Sequence, residues 1–206
     1  MTDFFALLGQ PRQPWLDEDA LKTAFHEQSS TLHPDRFHNA DDAARAEAGR
    51  AYAELNSAYQ CLREPKDRLA HLLELESGRK PGGIQSVPAE AMELFAQVGQ
   101  LCRETDAFLV ERAQATSPML KVRQFERGLE WTDKIQSLLS ALQERREDLC
   151  EKLRSLNALW GAAPSPDDPR RATELPLPAL EDIFSRLSYL NRWMAQLQER
   201  FTQLAL

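Results

Sequence analysis

Leu180, Ile183, Leu187, Leu190, Met194, Leu197, Phe201 and Leu204 recur at alternating steps of three and four residues. Only an α-helix gathers such a spacing onto one side, and a stripe that long needs partners to cover it. Two further segments supply them. Leu94, Val98, Leu101, Thr105 and Phe108 keep the heptad-like spacing of a coiled-coil seam. Ser117-Pro118, an N-cap followed by proline at the first helical position, opens a longer run. That run carries Phe125, Leu129, Ile135, Leu138, Leu142, Leu149, Leu153 and Leu156 in looser register. Three stripes that bury one another predict an antiparallel three-helix bundle over residues 88–206. Pro164, Pro166, Pro169, Pro176 and Pro178 break the periodicity of residues 161–178, so an irregular loop is expected there.

Strand signals are almost absent from the rest of the chain, which predicts an all-α protein. Phe4 to Leu8 is a short apolar helix closed by Gly9. Asp17 reads as the N-cap of a helix reaching about Leu32, with Leu21, Phe25 and Leu32 on one face. Pro34 has no N–H and disfavours helical backbone at His33, so the helix stops there. After a polar loop, a second helix runs from about Asp41 to Arg63, with Ala44, Ala51, Leu55, Ala58, Tyr59 and Leu62 as its expected buried stripe. The two form an α-hairpin, and Pro65 opens a further helix through Leu72, Leu73 and Leu75. Residues 77–86 are rich in Gly, Ser and Pro. The predicted division is a domain over 1–76, a linker over 77–87 and the bundle over 88–206.

Several function classes are disfavoured. A net charge of −7 gives no basic face for nucleic acid. No apolar run approaches the roughly 18 residues that cross a bilayer. The opening residues Met1-Thr2-Asp3-Phe4-Phe5 lack the basic start of a secretory signal, and a cytoplasmic location is expected. Cys61, Cys102 and Cys150 lie far apart without a C-x-x-C pair, so they read as buried thiols in a reducing compartment. Paired catalytic carboxylates, a nucleophile constellation and a Gly-rich phosphate loop are all missing from the pattern, so neither an enzyme nor a bound cofactor or metal is expected.

The candidate site is His33-Pro34-Asp35. Proline stiffens the turn, so the flanking imidazole and carboxylate are offered with little entropy left to lose on binding. A carboxylate held this way can take a bidentate contact from an arginine. Two other readings of these residues stand beside that one. Pro34 and Asp35 could simply end one helix and cap a loop, or His33, Asp35, His38 and Asp41 could ligate a metal in a helical structural protein.

Context favours the first. The tripeptide sits in the loop of a helical hairpin whose second helix carries Leu55-Asn56-Ser57-Ala58-Tyr59-x-x-Leu62. This resembles the J domain. Asp3-Phe4-Phe5-Ala6-Leu7-Leu8-Gly9, His33-Pro34-Asp35-Arg36-Phe37 and Pro65-x-x-Arg68-x-x-x-Leu72-Leu73 resemble, in order and separation, the HscB-type iron–sulfur co-chaperones. The resemblance implies a chaperone-binding face of His33, Pro34, Asp35, Arg36 and Lys22. On that face an arginine of a DnaK/HscA-class ATPase would meet Asp35, and docking would bias the partner toward hydrolysis. One departure stands out: the helix before the loop is normally basic. Here Asp17, Glu18, Asp19 and Glu27 oppose only Lys22, which predicts weak electrostatic steering with little salt dependence, or a partner whose surface compensates.

Beyond the linker the resemblance extends to Pro88-x-x-x-Met92-Glu93 and Leu187-Ser188-Tyr189-Leu190. It implies a client surface for an iron–sulfur scaffold protein that includes Met92, Glu93, Phe95 and Tyr189. The family's flanking carboxylates are replaced by Ala96, Gly99 and Arg103. Either Glu90, Glu93 and Glu104 take over their role, or the client is a different protein.

Overall fold

The computed structural model describes residues 2–33, 36, 41–82 and 88–205. The element order is α1 (Phe4–Leu7), α2 (Glu18–Leu32), α3 (Asp42–Arg63), α4 (Pro65–Ser77), a 3-10 turn at Ala89–Ala91, α5 (Met92–Ala113), α6 (Pro118–Ala162), α7 (Arg171–Glu174) and α8 (Leu177–Ala205). Among the described residues there is no strand, and the protein is all-α. The helix ends follow from local chemistry. Asp17 accepts from the Ala20 amide to start α2, and Asp41 accepts from Ala44 to start α3. Gly78 closes α4 at φ 70°, a left-handed backbone that costs a glycine little.

One compact unit comprises Met1–Pro81 with Cys150–Phe184, and a second comprises Gly82–Leu149 with Ser185–Leu206. Residues 83–87 of the expected linker lie outside the described residues.

In the first unit, α2 and α3 pack as the expected hairpin around Leu21, Leu55, Ala58 and Leu62. Ala44 is exposed and Ala48 is buried instead, so the stripe on α3 starts one turn later than its alanines suggest. Phe25 stacks on Tyr59, ring centroids 4.3 Å apart. The segments around the hairpin are braces. Asp3 caps α1 through the Phe5 and Ala6 amides and pairs with Arg12 at 2.7 Å. Arg68, buried at the start of α4, donates to the Pro14 carbonyl at 2.9 Å and the Leu62 carbonyl at 2.7 Å, tying the α1–α2 loop to the end of α3. Trp15 is held against α6 by two backbone hydrogen bonds with the Asn157 amide, both 2.9 Å, and by Arg154 over its ring.

Buried His71 completes the bracing. Its Nε2 accepts the Phe4 amide at 3.1 Å, and its ring stacks on Phe4 and Phe5 at 4.5 and 5.9 Å. Burial pushes its pKa below the ordinary histidine value, outweighing Asp3 and Glu74. The unfolded chain therefore takes up a proton near pH 6.5 that the folded chain refuses. This contribution to stability is complete above about pH 6.5 and is lost as pH falls toward the folded value. Urea unfolding at about pH 5.5 is expected to show a lower midpoint than at neutral pH, with the difference reduced in His71→Gln.

The second unit is an up-down-up bundle. Glu90 pairs with Arg186, and Asp106 with Arg200, while Arg112 donates to the Gln203 and Leu204 carbonyls, so α5 and α8 run parallel. Glu111 pairs with Arg127 across the α5–α6 turn, which sets α6 antiparallel to both. Leu94, Val98, Thr105 and Phe108 face the core as expected, as do Ile135, Leu142, Leu187, Leu190 and Leu197. Phe125 and Leu129 do not: both are exposed, and the core side of this stretch is taken by Gln124 and Gly128, one position earlier.

Candidate functional site

Helix α2 ends at Leu32, and His33 leaves helical space at φ −58°, ψ 130°, the extended backbone imposed by a following proline. His33 is exposed, and its imidazole meets Tyr52 of α3 edge-on with ring centroids 5.5 Å apart. The exposed Arg36 turns back. Its amide donates to the His33 carbonyl at 3.0 Å, and its guanidinium donates to the Ser30 carbonyl at 3.1 Å in the last turn of α2. Arg36 is thus tied to the helix that precedes it, and His33 leans on the helix that follows. Pro34, Asp35, Phe37 and His38 lie outside the described residues.

Lys22 is exposed three turns before His33, about 16 Å along the helix axis. It lines a pocket with Glu18, Asp19, Leu21, Tyr59 and Arg63, so two carboxylates share that pocket with the one cation of α2. The last turn of α2 holds no basic residue. Nothing on this helix builds the positive face that normally flanks such a loop.

At the start of the bundle, Met92 and Phe95 are 49% and 46% exposed. Tyr189, expected on the client surface with them, is buried. It packs on Trp193 at 4.7 Å, and Trp193 lies 6.0 Å from Phe95. Tyr189 therefore supports the patch from beneath, and Trp193, absent from the expected set, is the link. A tryptophan four residues beyond Tyr189, on the same helix face, was the available signal.

The acidic candidates point elsewhere. Glu90 is engaged by Arg186 at 2.5 Å. Glu93 accepts from Gln97 and Glu104 from Gln100, and Glu104 lines a groove between α5 and α6 with Asp133 and Lys134. On the helix face of Met92 and Phe95 the next positions are Ala96, Gly99 and Arg103, and a guanidinium nitrogen of Arg103 lies 3.3 Å from where a Gly99 Cβ would sit. The apolar patch is bordered by a cation.

Neither Cys61 nor Cys102 is primed for chemistry. Burial raises the Cys61 pKa to about 11, with Asp67 adding to the rise, and raises that of Cys102 as well. Among the described residues no three His, Cys, Asp or Glu side chains gather where a metal could sit, and no helix is long and apolar enough to cross a membrane. What this arrangement offers is surface: an exposed imidazole held at the end of α2 at one site and an aromatic-backed apolar patch at another.

Known proteins share both the segments and the fold. The DnaJ domain model matches residues 3–71. The co-chaperone protein HscB homolog of Cupriavidus taiwanensis is 36% identical over 146 residues, which are 70% of this chain and 72% of that protein. The HscB homolog of Azoarcus sp. is 37% identical over 73 residues, 35% of this chain and 41% of that one. Among solved structures, chaperone HscB from Vibrio cholerae aligns with a TM-score of 0.62 at 20% identity, covering 98% of this chain and 99% of that chain. Human co-chaperone protein HscB gives 0.60 at 15% identity, covering 98% and 81%. These two share the fold; the Cupriavidus relative, by identity and coverage together, carries the assignment that this chain belongs to the HscB family of J-domain co-chaperones.

Proposed function

We propose that the chain stimulates the ATPase of a DnaK/HscA-class chaperone through the loop that starts at His33, and that it hands an iron–sulfur scaffold protein to that partner. The observation that carries this reading is the end of α2. The helix stops, the exposed His33 is set by backbone that Arg36 ties down, and Tyr52 supports its ring. A recognition element fixed before contact loses little conformational entropy on docking. Asp35, the next residue but one, would take the partner's arginine in a bidentate contact. The chain makes and breaks no bonds itself; it biases an equilibrium in the partner, which needs only a difference in affinity between two partner states. With Lys22 alone on α2, long-range steering contributes little, and the loop contacts must supply most of the affinity. Steady-state ATP hydrolysis by a DnaK-class chaperone, measured with and without this chain, tests the first half; an unchanged rate at saturating chain would end it.

The scaffold half rests on Met92 and Phe95, half-exposed over Trp193 and Tyr189. An aromatic anchor placed over a packed aromatic floor has the make-up of an interface hot spot. Phe95→Asp is expected to weaken scaffold binding about tenfold or more by calorimetry, with helix content unchanged because the side chain is half in water. A second reading, a different client, is favoured by the Arg103 guanidinium beside Gly99. No detectable scaffold binding by the unaltered chain, together with intact ATPase stimulation, would select it.

A further inference from the structure

Met119, Val122, Phe125 and Leu129 are 85%, 61%, 67% and 52% exposed. Steps of three, three and four place them along one side of the first turns of α6. That side is turned away from the core, which α6 faces here with Gln124 and Gly128, the latter against the Phe108 ring. Single exposed apolar residues are ordinary on a soluble protein, whereas a row of four, on the order of 500 Å², is the size of patch that marks an interaction site.

The charges beside the row identify what covers it. In heptad terms Val122 and Leu129 occupy a positions and Phe125 the d position between them, with a β-branched residue at a as parallel pairs prefer. Lys121 then falls at g and Glu126 at the following e. In two parallel helices a g residue meets the e residue five positions on in its neighbour. Lys121 of one copy therefore meets Glu126 of the other, and the two-fold axis repeats the pair. Neither side chain is engaged in an ion pair of its own chain among the described residues.

We infer that the start of α6 is a self-association face, on which a second copy of this chain docks in parallel through Val122, Phe125 and Leu129, flanked by reciprocal Lys121–Glu126 pairs. An ordinary stable interface buries about 800 Å² per partner. The apolar row with its polar flanks approaches but does not exceed that, so the dimer is concentration-dependent, in the micromolar range. Each particle then carries two J-domain loops, and two copies of a partner at one site gain from effective concentration.

Sedimentation velocity on the full chain over a wide concentration range tests this. The unaltered protein is expected to shift from one to two chains per particle, and Phe125→Glu to remain a single chain. Lys121→Glu and Glu126→Lys, each of which sets like charges face to face, are expected to weaken the dimer about tenfold, and the two together to restore it. All three positions are in water, so helix content by circular dichroism should not change. A single chain at every concentration, or a dimer that survives Phe125→Glu, overturns the proposal. So does failure of the double exchange to restore what each single exchange removed. Flotation of the single chain with anionic vesicles, abolished by Phe125→Glu, would assign the row to a membrane surface and likewise overturn it.

Discussion

Replacing His33 by glutamine is expected to raise the concentration of chain needed for half-maximal stimulation of a DnaK-class ATPase by about thirtyfold or more, the equivalent of roughly 2 kcal/mol at a hot-spot position. The expectation follows from how the residue is held. His33 ends α2 in extended backbone, its carbonyl accepts the Arg36 amide, and it is exposed, with its ring meeting Tyr52 edge-on. Glutamine keeps a hydrogen-bonding end but loses the flat ring, so a partner surface shaped for an imidazole is left poorly filled. The fold should scarcely respond. One edge-on aromatic contact at an exposed residue contributes about 0.5–1.5 kcal/mol. Tyr52→Ala should give an intermediate loss, because it leaves the imidazole in place and removes only its support. Unimpaired stimulation by His33→Gln, with an unchanged circular dichroism spectrum, would mean that the partner docks elsewhere on the chain.

The ends of the two helices that flank that loop were legible because their determinants are local. Asp17 and Asp41 sit where helix caps must sit, and Pro34 cannot continue a helix. The bracing was only half legible. Asp3 and Arg68 stand out within the segments that resemble HscB, but the sequence does not say that Arg68 gathers the carbonyls of Pro14 and Leu62, nor that His71 receives the Phe4 amide. Two of these contacts join residues 54 and 67 positions apart and the third turns back on the end of α3, and no periodicity records them.

Along the longest helix of the bundle the misreading had one cause. On α6 the apolar residues Phe125 and Leu129 continue the spacing of the stripe, while the residues that face the core at this end are the polar Gln124 and the glycine at 128. A shift of one residue turns the helix by about 100°. A pattern that counts apolar residues places the wrong side inward when the inward positions are polar or small. Tyr189 departs in the opposite direction: it falls beside the seam, which favoured a place at the surface, but Trp193 one turn on gives it an aromatic neighbour to pack against, and it is buried.

The proline-rich stretch over residues 161–178 hid a nearly dry ion pair of the first unit, and it sets the second large effect. Irregular backbone was expected there, yet it contains α7, and Arg171 at the start of that turn is locked in place. Its Nε and Nη2 donate to the two carboxylate oxygens of Glu76 at 2.7 and 2.8 Å, and its Nη1 donates to the Pro164 carbonyl at 2.6 Å. The two side chains are only 7% and 2% exposed. A fork-to-fork pair this dry contributes little relative to apolar residues of the same volume, since taking two charges out of water costs nearly what their attraction returns. Breaking it is another matter. Arg171→Ala leaves the Glu76 carboxylate buried without its cation and is expected to cost about 3–5 kcal/mol in urea unfolding. The double variant Arg171→Leu with Glu76→Leu removes both charges together and should recover most of that loss. Should the single substitution cost less than about 1 kcal/mol, the value of an exposed pair, water reaches Glu76 and the proline-rich segment is not pinned to α4. Should the double variant be as unstable as the single, the loss comes from packing around α7 and not from an orphaned charge.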